Sequence, residues 1–207
     1  MTGAADIFAP RNDEQVRRLV LENPLAWVVS SDGGSFRATP LPLRPRVGTG
    51  GRIEALEGHI PRSNPHFYAL RQDGRAILLF MGPQGYISPS WVSNRTWAPT
   101  WNYAAVQFLV TIAFDESAAA LDAHLTDLVN AMERGRPGAW STSEMGERYD
   151  TLKKRIVPFE AKVLEQRAKF KLGQDERDSV FAEITEALGH AGADPLVAWM
   201  KELNPNR

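Results

Sequence analysis

Six apolar, strand-like runs limit the folds open to this chain more than any other feature of its sequence. They lie at residues 25–31, 36–43, 52–58, 75–81, 101–114 and 156–170, with turn residues or separate helices between them. Strand and helix do not alternate regularly, so a parallel sheet of βαβ units is excluded. The sequence therefore predicts a mainly β, α+β fold: a six-stranded antiparallel barrel with helices on its outside.

Two prolines mark the second run as an edge of the sheet. Pro40 and Pro42 lie two positions apart within this run. Neither has a backbone N–H to donate to a neighbouring strand, and a central strand would need both donors. We therefore expect this strand at an edge or at a bulge.

Helices are predicted outside these runs from apolar periodicity and capping residues. The predicted segments are 13–22, 63–72, 115–134, 143–154, 176–188 and 195–203. The last two follow the final strand. The sequence thus predicts a domain of residues 1–175 and a helical C-terminal extension of residues 176–207.

The composition excludes several classes of function. The chain has no cysteine, which rules out disulfides, a thiolate nucleophile and a cysteine-ligated metal. Its formal net charge of −1 and the lack of a basic helix argue against direct nucleic-acid binding. Residues 1–6 show no export signal, and no apolar stretch approaches the roughly 20 residues that cross a bilayer. We expect a cytoplasmic protein that does not enter the membrane.

No familiar catalytic or metal-binding motif is present. The sequence lacks a dinucleotide-binding glycine loop, a Walker loop, a zinc-protease motif and a serine-hydrolase elbow. Its four histidines are scattered without metal-ligand spacing, at His59, His66, His124 and His190. We therefore expect no metal, and no residue is assigned as a catalytic acid or base.

The first segment of interest joins a strand end to a helix start at residues 58–65. Arg62 provides a guanidinium there, and Ser63 and Asn64 lie at the start of the helix. Free backbone N–H groups and a guanidinium together suit a phosphate. The alternative interpretation is a capped helix with a surface arginine.

The second segment is aromatic and spans residues 85–103. Tyr86, Trp91, Trp97, Trp101 and Tyr103 lie within it, among small polar residues. Flat aromatic faces can stack on a conjugated ring, and neighbouring hydroxyls and amides can bond its polar edge. The alternative is a hydrophobic core or a dimer interface.

The third segment ends the last strand. Alternation places Lys169 and Lys171 on one face, with Gln174 in the turn beyond. Two cations and an amide could hold an anionic ligand. A solvated strand end is the alternative.

Taken in order, these segments resemble the FMN-binding negative transcriptional regulators of the PaiB-like family. The likeness rests on residues 38–43, 58–65, 82–91, 99–103 and 171–174, and it extends from Ile7 to beyond Gln174. The resemblance implies a six-stranded split β-barrel similar to that of the pyridoxamine-phosphate oxidases, formed here by residues 1–175. It also implies a homodimer that holds FMN in the cleft between subunits.

The resemblance further implies which residues hold FMN. Thr39 and Leu41 would face the pyrimidine edge of the flavin, and the loop with His59, Arg62, Ser63 and Asn64 would hold its phosphate and ribityl groups. Ser88, Trp101 and Asn102 would contribute from the barrel wall, and Lys171 and Gln174 from the last strand. The chain departs from the family pattern at Pro40, Gln84, Val92, Gly173 and Asp175.

Three functions are compatible with this resemblance. The first is an FMN-dependent oxidoreductase, similar to a flavin reductase, that takes its electrons from a nicotinamide donor. The second is a PaiB-like negative transcriptional regulator that acts through a ligand or a partner. The third is a cofactor-free dimeric scaffold.

Overall fold

The structure, a computed structural model, describes residues 6–207. Residues 1–5, on which the expected lack of an export signal partly rests, lie outside the described part. The strands are β1 (Leu25–Asp32), β2 (Ser35–Pro42), β3 (Arg44–Val47), β4 (Ile53–Pro61), β5 (Arg75–Ile87), β6 (Thr100–Phe114) and β7 (Ile156–Lys171). The helices are α1 (Asp13–Glu22), α2 (Pro65–Gln72), α3 (Ala118–Glu133), α4 (Arg148–Lys153), α5 (Asp178–His190) and α6 (Asp194–Leu203). Short 3₁₀ turns occupy Pro89–Trp91 and Thr142–Met145.

The strands form one sheet in the order β2-β1-β5-β6-β7-β4-β3. The pairs β1–β2, β1–β5, β3–β4 and β4–β7 are antiparallel. The predicted mainly β architecture with an antiparallel sheet is confirmed. The predicted six-stranded split barrel needs correction, because the sheet has seven strands and is not closed, with β2 and β3 at its two edges.

The additional strand arises at a corner after Pro42. The backbone N–H of Leu43 donates to the carbonyl of Pro24 at 2.8 Å, and the chain then leaves β1. Residues 44–47 turn to pair with β4 instead. The expected edge position of the proline-containing strand is confirmed, since β2 ends the sheet.

The chain divides into two compact units. The central unit comprises Pro24–Leu79 and Gln107–Gln166. The terminal unit comprises the described residues up to Asn23, together with Phe80–Val106 and Arg167–Arg207. In the described residues, no helix is long and apolar enough to span a membrane.

Alternation along the strands builds the core of the central unit. On β1, Ala26 and Val28 are buried, whereas Leu25 and Trp27 are exposed. The other strands of this unit bury Ile53, Leu56, Ile60, Ala76, Leu78, Phe108 and Val110. Because successive side chains point to opposite faces, one face of each strand lies in this core and the other does not.

The core of the terminal unit is largely helical. Helix α1 contributes Val16, Leu19 and Val20, and α5 and α6 contribute Phe181, Ile184, Leu188, Leu196, Trp199, Met200 and Leu203. Trp199 packs edge-on against Phe170, with ring centroids 5.5 Å apart. Its indole N–H donates to Glu22 at 3.0 Å, and the Arg18 guanidinium lies 3.7 Å from its ring centroid. Residues 176–207 therefore pack within this unit, and the predicted division at residue 175 stays a prediction.

Truncation of Trp199 should destabilise the chain strongly. Trp199 is 2% exposed, so Trp199→Ala should lower the free energy of unfolding by about 3–5 kcal/mol through lost burial and a cavity. Chemical denaturation followed by circular dichroism measures this change. The matched control is Trp140→Ala, because Trp140 is 38% exposed and its removal should cost far less. Equal losses from the two variants would contradict the assignment of Trp199 to a core.

Candidate functional site

The predicted site residues are divided between the two units. The central unit holds Thr39, Leu41, His59, Arg62, Ser63 and Asn64. The terminal unit holds Ser88, Trp101, Asn102, Lys171 and Gln174.

A chain of polar side chains runs through the central unit at the start of α2. Asn64 caps this helix, and its Oδ1 accepts from the backbone N–H of His66 at 2.9 Å. The Nδ2 of Asn64 lies 3.4 Å from Thr39 Oγ1. The His66 ring bonds Thr39 Oγ1 at 2.9 Å through Nδ1 and Ser30 Oγ at 2.9 Å through Nε2. The structure thus brings Thr39 and Asn64 together.

His66 and Ser30 are members of this chain that the sequence analysis missed. His66 was noted only as one of four scattered histidines. Its position two residues after the capping Asn64 was the available signal, because it places the ring on the first turn of α2. Ser30 has no comparable signal, since its partner is 36 residues away.

Arg62 is held at the end of β4 by a carboxylate. Its Nη1 donates to Glu116 Oε2 at 2.6 Å, and its Nε donates to the Lys154 carbonyl at 3.1 Å. Arg71 reaches the other oxygen of Glu116 at 3.1 Å. Hydrogen bonding from Arg62, followed by the charges of Arg71 and Arg62, lowers the pKa of Glu116 despite an opposing desolvation effect. Two guanidinium groups therefore converge on one carboxylate, an arrangement that also suits a phosphate.

Ser63 and Leu41 contribute in different ways to this region. Ser63 is exposed beside Arg62, in the turn between β4 and α2 that the Asn64 N–H closes on the Pro61 carbonyl at 3.0 Å. Leu41 is 5% exposed and pairs with Ala26 in the sheet. Its side chain belongs to the core, so a ligand could meet only its backbone.

His59 bonds another histidine. Its Nδ1 lies 3.0 Å from Nε2 of His124 on α3, and the two rings pack edge-on. Burial lowers the pKa of His59. Burial, then the nearby His59 and Arg44, lower the pKa of His124 to about 4, and Asp127 opposes them. Both rings are therefore neutral at pH 7, and the sequence analysis did not foresee His124 as a partner.

The terminal unit presents two half-exposed aromatic rings. Trp101 on β6 is 49% exposed and Tyr86 on β5 is 47% exposed, with ring centroids 5.9 Å apart. The Trp101 indole N–H donates to Gln84 Oε1 at 2.6 Å, which fixes the ring. Lys171 Nζ bonds the hydroxyl of Thr100, the residue before Trp101. We call the pair of rings Tyr86 and Trp101 the aromatic platform. Lys171 contacts Thr100, whose side chain alternates to the opposite face of β6 from that of Trp101.

The remaining predicted residues of this unit bond within the protein. Ser88 Oγ accepts from the backbone N–H of Ser90 and caps the 3₁₀ turn. Asn102 is buried, and its Nδ2 lies 3.7 Å from the sulfur of Met200. Gln174 accepts from the Leu172 N–H at 2.7 Å and donates to the Phe170 carbonyl at 2.5 Å.

The C-terminal residues hold the turn that follows Lys171. Asn204 Nδ2 donates to the Leu172 carbonyl at 3.2 Å. The guanidinium of Arg207 donates to the carbonyls of Gly173 at 2.9 Å and Gln174 at 3.1 Å. The end of β7 is therefore positioned by side chains from the end of the chain.

Among the residues that the structure describes, no group of three or more potential metal ligands is placed to hold an ion. The polar groups described above are hydroxyls, amides, imidazoles and guanidiniums. This donor set suits an organic anion with hydrogen-bond acceptors.

Comparison with known proteins identifies the family. Residues 4–165 match the model of a family described as "Putative FMN-binding domain". The chain belongs to this FMN-binding domain family. It is 29% identical over 184 residues to the protease synthase and sporulation protein PAI 2 of Bacillus subtilis, a match that covers 87% of this chain and 86% of that protein. The predicted resemblance to the PaiB-like family is confirmed.

Solved structures of similar fold come from other bacteria. The flavocytochrome Anf3 of Azotobacter vinelandii matches with a TM-score of 0.61 and 17% identity, over 80% of this chain and 70% of that one. A FAD- and haem-binding protein of Mycobacterium smegmatis matches with a TM-score of 0.62 and 19% identity, over 84% and 78%. At these identities the likeness shows the shared fold.

Two departures of this chain from the FMN-binding family pattern have a local structural reason. Gln84 provides the acceptor for the Trp101 indole. Gly173 has a φ of +84°, a backbone conformation that side chains disfavour, and a Cβ there would lie 3.1 Å from the Phe181 ring. The changed residues thus support the aromatic platform and the turn after Lys171.

The His59–His124 pair should make stability depend on pH. Since the pKa of His124 falls from 6.5 to about 4 on folding, the unfolded chain binds a proton that the folded chain does not. Stability should be complete above pH 6.5 and fall as the pH drops towards 4. His124→Gln should weaken this dependence in urea unfolding curves. The exposed His190→Gln is the control and should keep the wild-type slope, whereas equal slopes for wild type and His124→Gln would contradict the inference.

Proposed function

We propose that this protein binds FMN as a homodimer and acts as an oxidoreductase of the flavin-reductase type, with a nicotinamide donor as its source of electrons. The observation that carries the proposal is the aromatic platform of this chain, which belongs to a family with an FMN-binding domain. Tyr86 and Trp101 expose flat rings that lie close together. Such rings suit a conjugated ligand.

The central unit, considered by itself, offers donors for the polar parts of a flavin nucleotide. Thr39 carries a half-buried hydroxyl, and Arg62 and Arg71 carry guanidiniums that would bind phosphate in exchange for Glu116. Charge-assisted bonds from arginine match the geometry of a phosphate group.

The chain itself would bind and orient the cofactor. When bound, the isoalloxazine ring supplies the capacity to accept and deliver a hydride. In the terminal unit, the aromatic platform would stack on a conjugated ring. In the central unit, Thr39 would bond a polar group of a flavin. No acid or base from the chain is required for hydride transfer, and the described residues are assigned no such role.

The homodimer is supported by an exposed apolar face in the central unit. Trp27, Ile77, Leu79 and Leu109 point away from the core on β1, β5 and β6, and Trp27 pairs directly with Leu79. A groove of about 320 Å³ continues this face between Phe36 and Leu109. Contiguous exposed apolar surface of this kind is typical of an interface, and we propose that a second copy of the chain covers it.

A regulatory role is the second candidate. It is favoured by the relative in Bacillus subtilis, whose name connects it with protease synthesis and sporulation. With a net charge of −1, the chain would act through a ligand or a partner rather than by direct contact with DNA. A salt titration of binding to duplex DNA tests this, because phosphate contacts weaken steeply with salt.

Flavin binding can be tested on the purified protein. The protein should bind FMN, and Arg62→Ala should weaken this binding about tenfold, the effect of losing a partly exposed charge-assisted bond. Affinity for riboflavin, which lacks the phosphate, should not change. Fluorescence titration measures both constants, and release of FMN on denaturation measures the bound cofactor.

The matched control is Arg52→Ala, which removes an exposed arginine from another part of the central unit. It should leave both constants unchanged. Protein that contains no flavin and binds none would refute the proposed function and favour the cofactor-free scaffold. An equal loss of FMN and riboflavin affinity in Arg62→Ala would remove Arg62 from the phosphate site.

The proposed dimer makes a separate prediction. Leu79→Asp should yield monomers, because burying a carboxylate in an apolar interface without a partner is unfavourable. Sedimentation equilibrium should give twice the chain mass for wild type and the chain mass for the variant. Leu21→Asp, at an exposed leucine of α1, is the control and should stay dimeric. A monomeric wild-type protein would refute the proposed homodimer.

A further inference from the structure

The hydrogen-bond contacts around His66 determine where the protons lie on the hydrogen-bonded side chains of the central unit. His66 is 2% exposed and bonds a hydroxyl at each ring nitrogen, Ser30 at Nε2 and Thr39 at Nδ1. A neutral imidazole donates through one nitrogen and accepts through the other. The tautomer of His66 therefore decides whether Thr39 donates towards the ring or away from it.

Asn64 occupies one lone pair of Thr39. The Asn64 Oδ1 accepts the backbone N–H of His66 at 2.9 Å, which fixes the orientation of the amide. Its Nδ2 must then be the atom that faces Thr39 Oγ1, at 3.4 Å. This bond is long, but an N–H can only donate, so the Thr39 oxygen accepts.

Ser30 determines the tautomer of His66. Ser30 is 5% exposed, and within residues 6–207 its hydroxyl bonds no group other than the His66 ring. A buried hydroxyl hydrogen without an acceptor is costly, so Ser30 donates to Nε2. Burial, assisted by Arg37 and opposed by Asp32, lowers the pKa of His66, so the ring is neutral at pH 7. The single ring proton then lies on Nδ1.

Thr39 consequently accepts two hydrogen bonds within the protein. One comes from Nδ1–H of His66 and the other from Nδ2–H of Asn64. Both lone pairs of the hydroxyl oxygen are occupied, and its own hydrogen must point away from these two groups. Since Thr39 is only half-buried on the edge strand β2, this hydrogen is available to a ligand.

We propose that His66 is a positioning residue that makes Thr39 an obligate hydrogen-bond donor to the ligand. The site would therefore select an acceptor at this point, such as a pyrimidine carbonyl oxygen of a flavin. The flavin as ligand rests on the proposed function. Protonation of His66 at Nε2 would reverse only the bond to Ser30, so the Thr39 donor persists when the ring is charged.

The tautomer can be measured without any ligand. Long-range ¹H–¹⁵N correlation spectra of the full-length protein at pH 7.5 distinguish a protonated Nδ1 from a protonated Nε2, and His66→Asn assigns the signals. We expect a protonated Nδ1 and an unprotonated Nε2. A protonated Nε2 would overturn the inference whether or not the protein binds flavin.

A second arm measures the choice of ligand. The analogues are 2-thio-FMN and 4-thio-FMN, in which sulfur replaces one pyrimidine carbonyl oxygen. Because sulfur is a weaker hydrogen-bond acceptor, wild type should bind FMN several-fold more tightly than the analogue changed at the bonded position. Thr39→Val should abolish this preference. His66→Asn can place an amide N–H near the Nδ1 position and should retain it, whereas His66→Gln should lose it.

These outcomes separate the two proposals. The role of His66 is overturned if flavin binds but no variant changes the preference for FMN over the thio analogues. It is also overturned if folded His66→Asn and folded His66→Gln lose this preference equally. If no flavin binds and Nδ1 is protonated, the proposed function fails and the donor arrangement stands. Thermal unfolding shows whether each variant folds, and the wild-type spectrum remains decisive where a variant does not.

Discussion

Two residues of β2 lack a backbone N–H group, and this shortage of hydrogen-bond donors determines much of the arrangement of the central unit. Pro40 and Pro42 lack the N–H groups that a second neighbouring strand would need, so β2 pairs only with β1. The chain then turns at Leu43, and β3 forms the opposite edge beside β4. An edge strand leaves one side uncovered, and Thr39 lies on that strand where α2 begins. The proposed ligand donor is thus available because the strand that carries it cannot be central.

The polar groups of the central unit include neutral histidines that are fully or partly buried and arginines at the surface. His66, His59 and His124 all have lowered pKa values because burial disfavours their charged forms. They act as oriented hydrogen-bonding groups. Arg62 and Arg71 lie at the surface, where both pair with the single carboxylate of Glu116. A bound phosphate would take the place of the Glu116 carboxylate as the anion beside these two guanidiniums, so no unpaired charge would be buried.

In the terminal unit, the C-terminal helices support the end of β7. Packing of Trp199 against Phe170 and the bonds from Asn204 and Arg207 hold the residues around the end of β7. Lys171 lies there and bonds Thr100. The helices that follow the last strand therefore help to position Lys171, although none of their residues was predicted to touch a ligand.

Local patterns in the sequence were sufficient for the features that depend on neighbouring residues. The bounds of α1, the start of α2 at Pro65 and the edge position of β2 follow from capping residues and prolines, which act within a few positions. The resemblance of five short segments was sufficient to identify the FMN-binding family. Within the site, it also indicated Thr39, Asn64, Trp101 and Lys171, which the structure places in two polar and aromatic groups.

Only the tertiary structure decided which groups these residues contact. His124 lies 65 positions from His59, Glu116 lies 54 from Arg62, and Ser30 lies 36 from His66. No helical or strand period connects positions so far apart, because their proximity results from strand pairing and helix packing. The same applies to β3, the strand that was not predicted. Its four residues carry no strong apolar pattern, and they form a strand because they pair with β4. The sequence by itself determined the family and the local elements, whereas long-range packing determined the partners of the site residues and the number of strands.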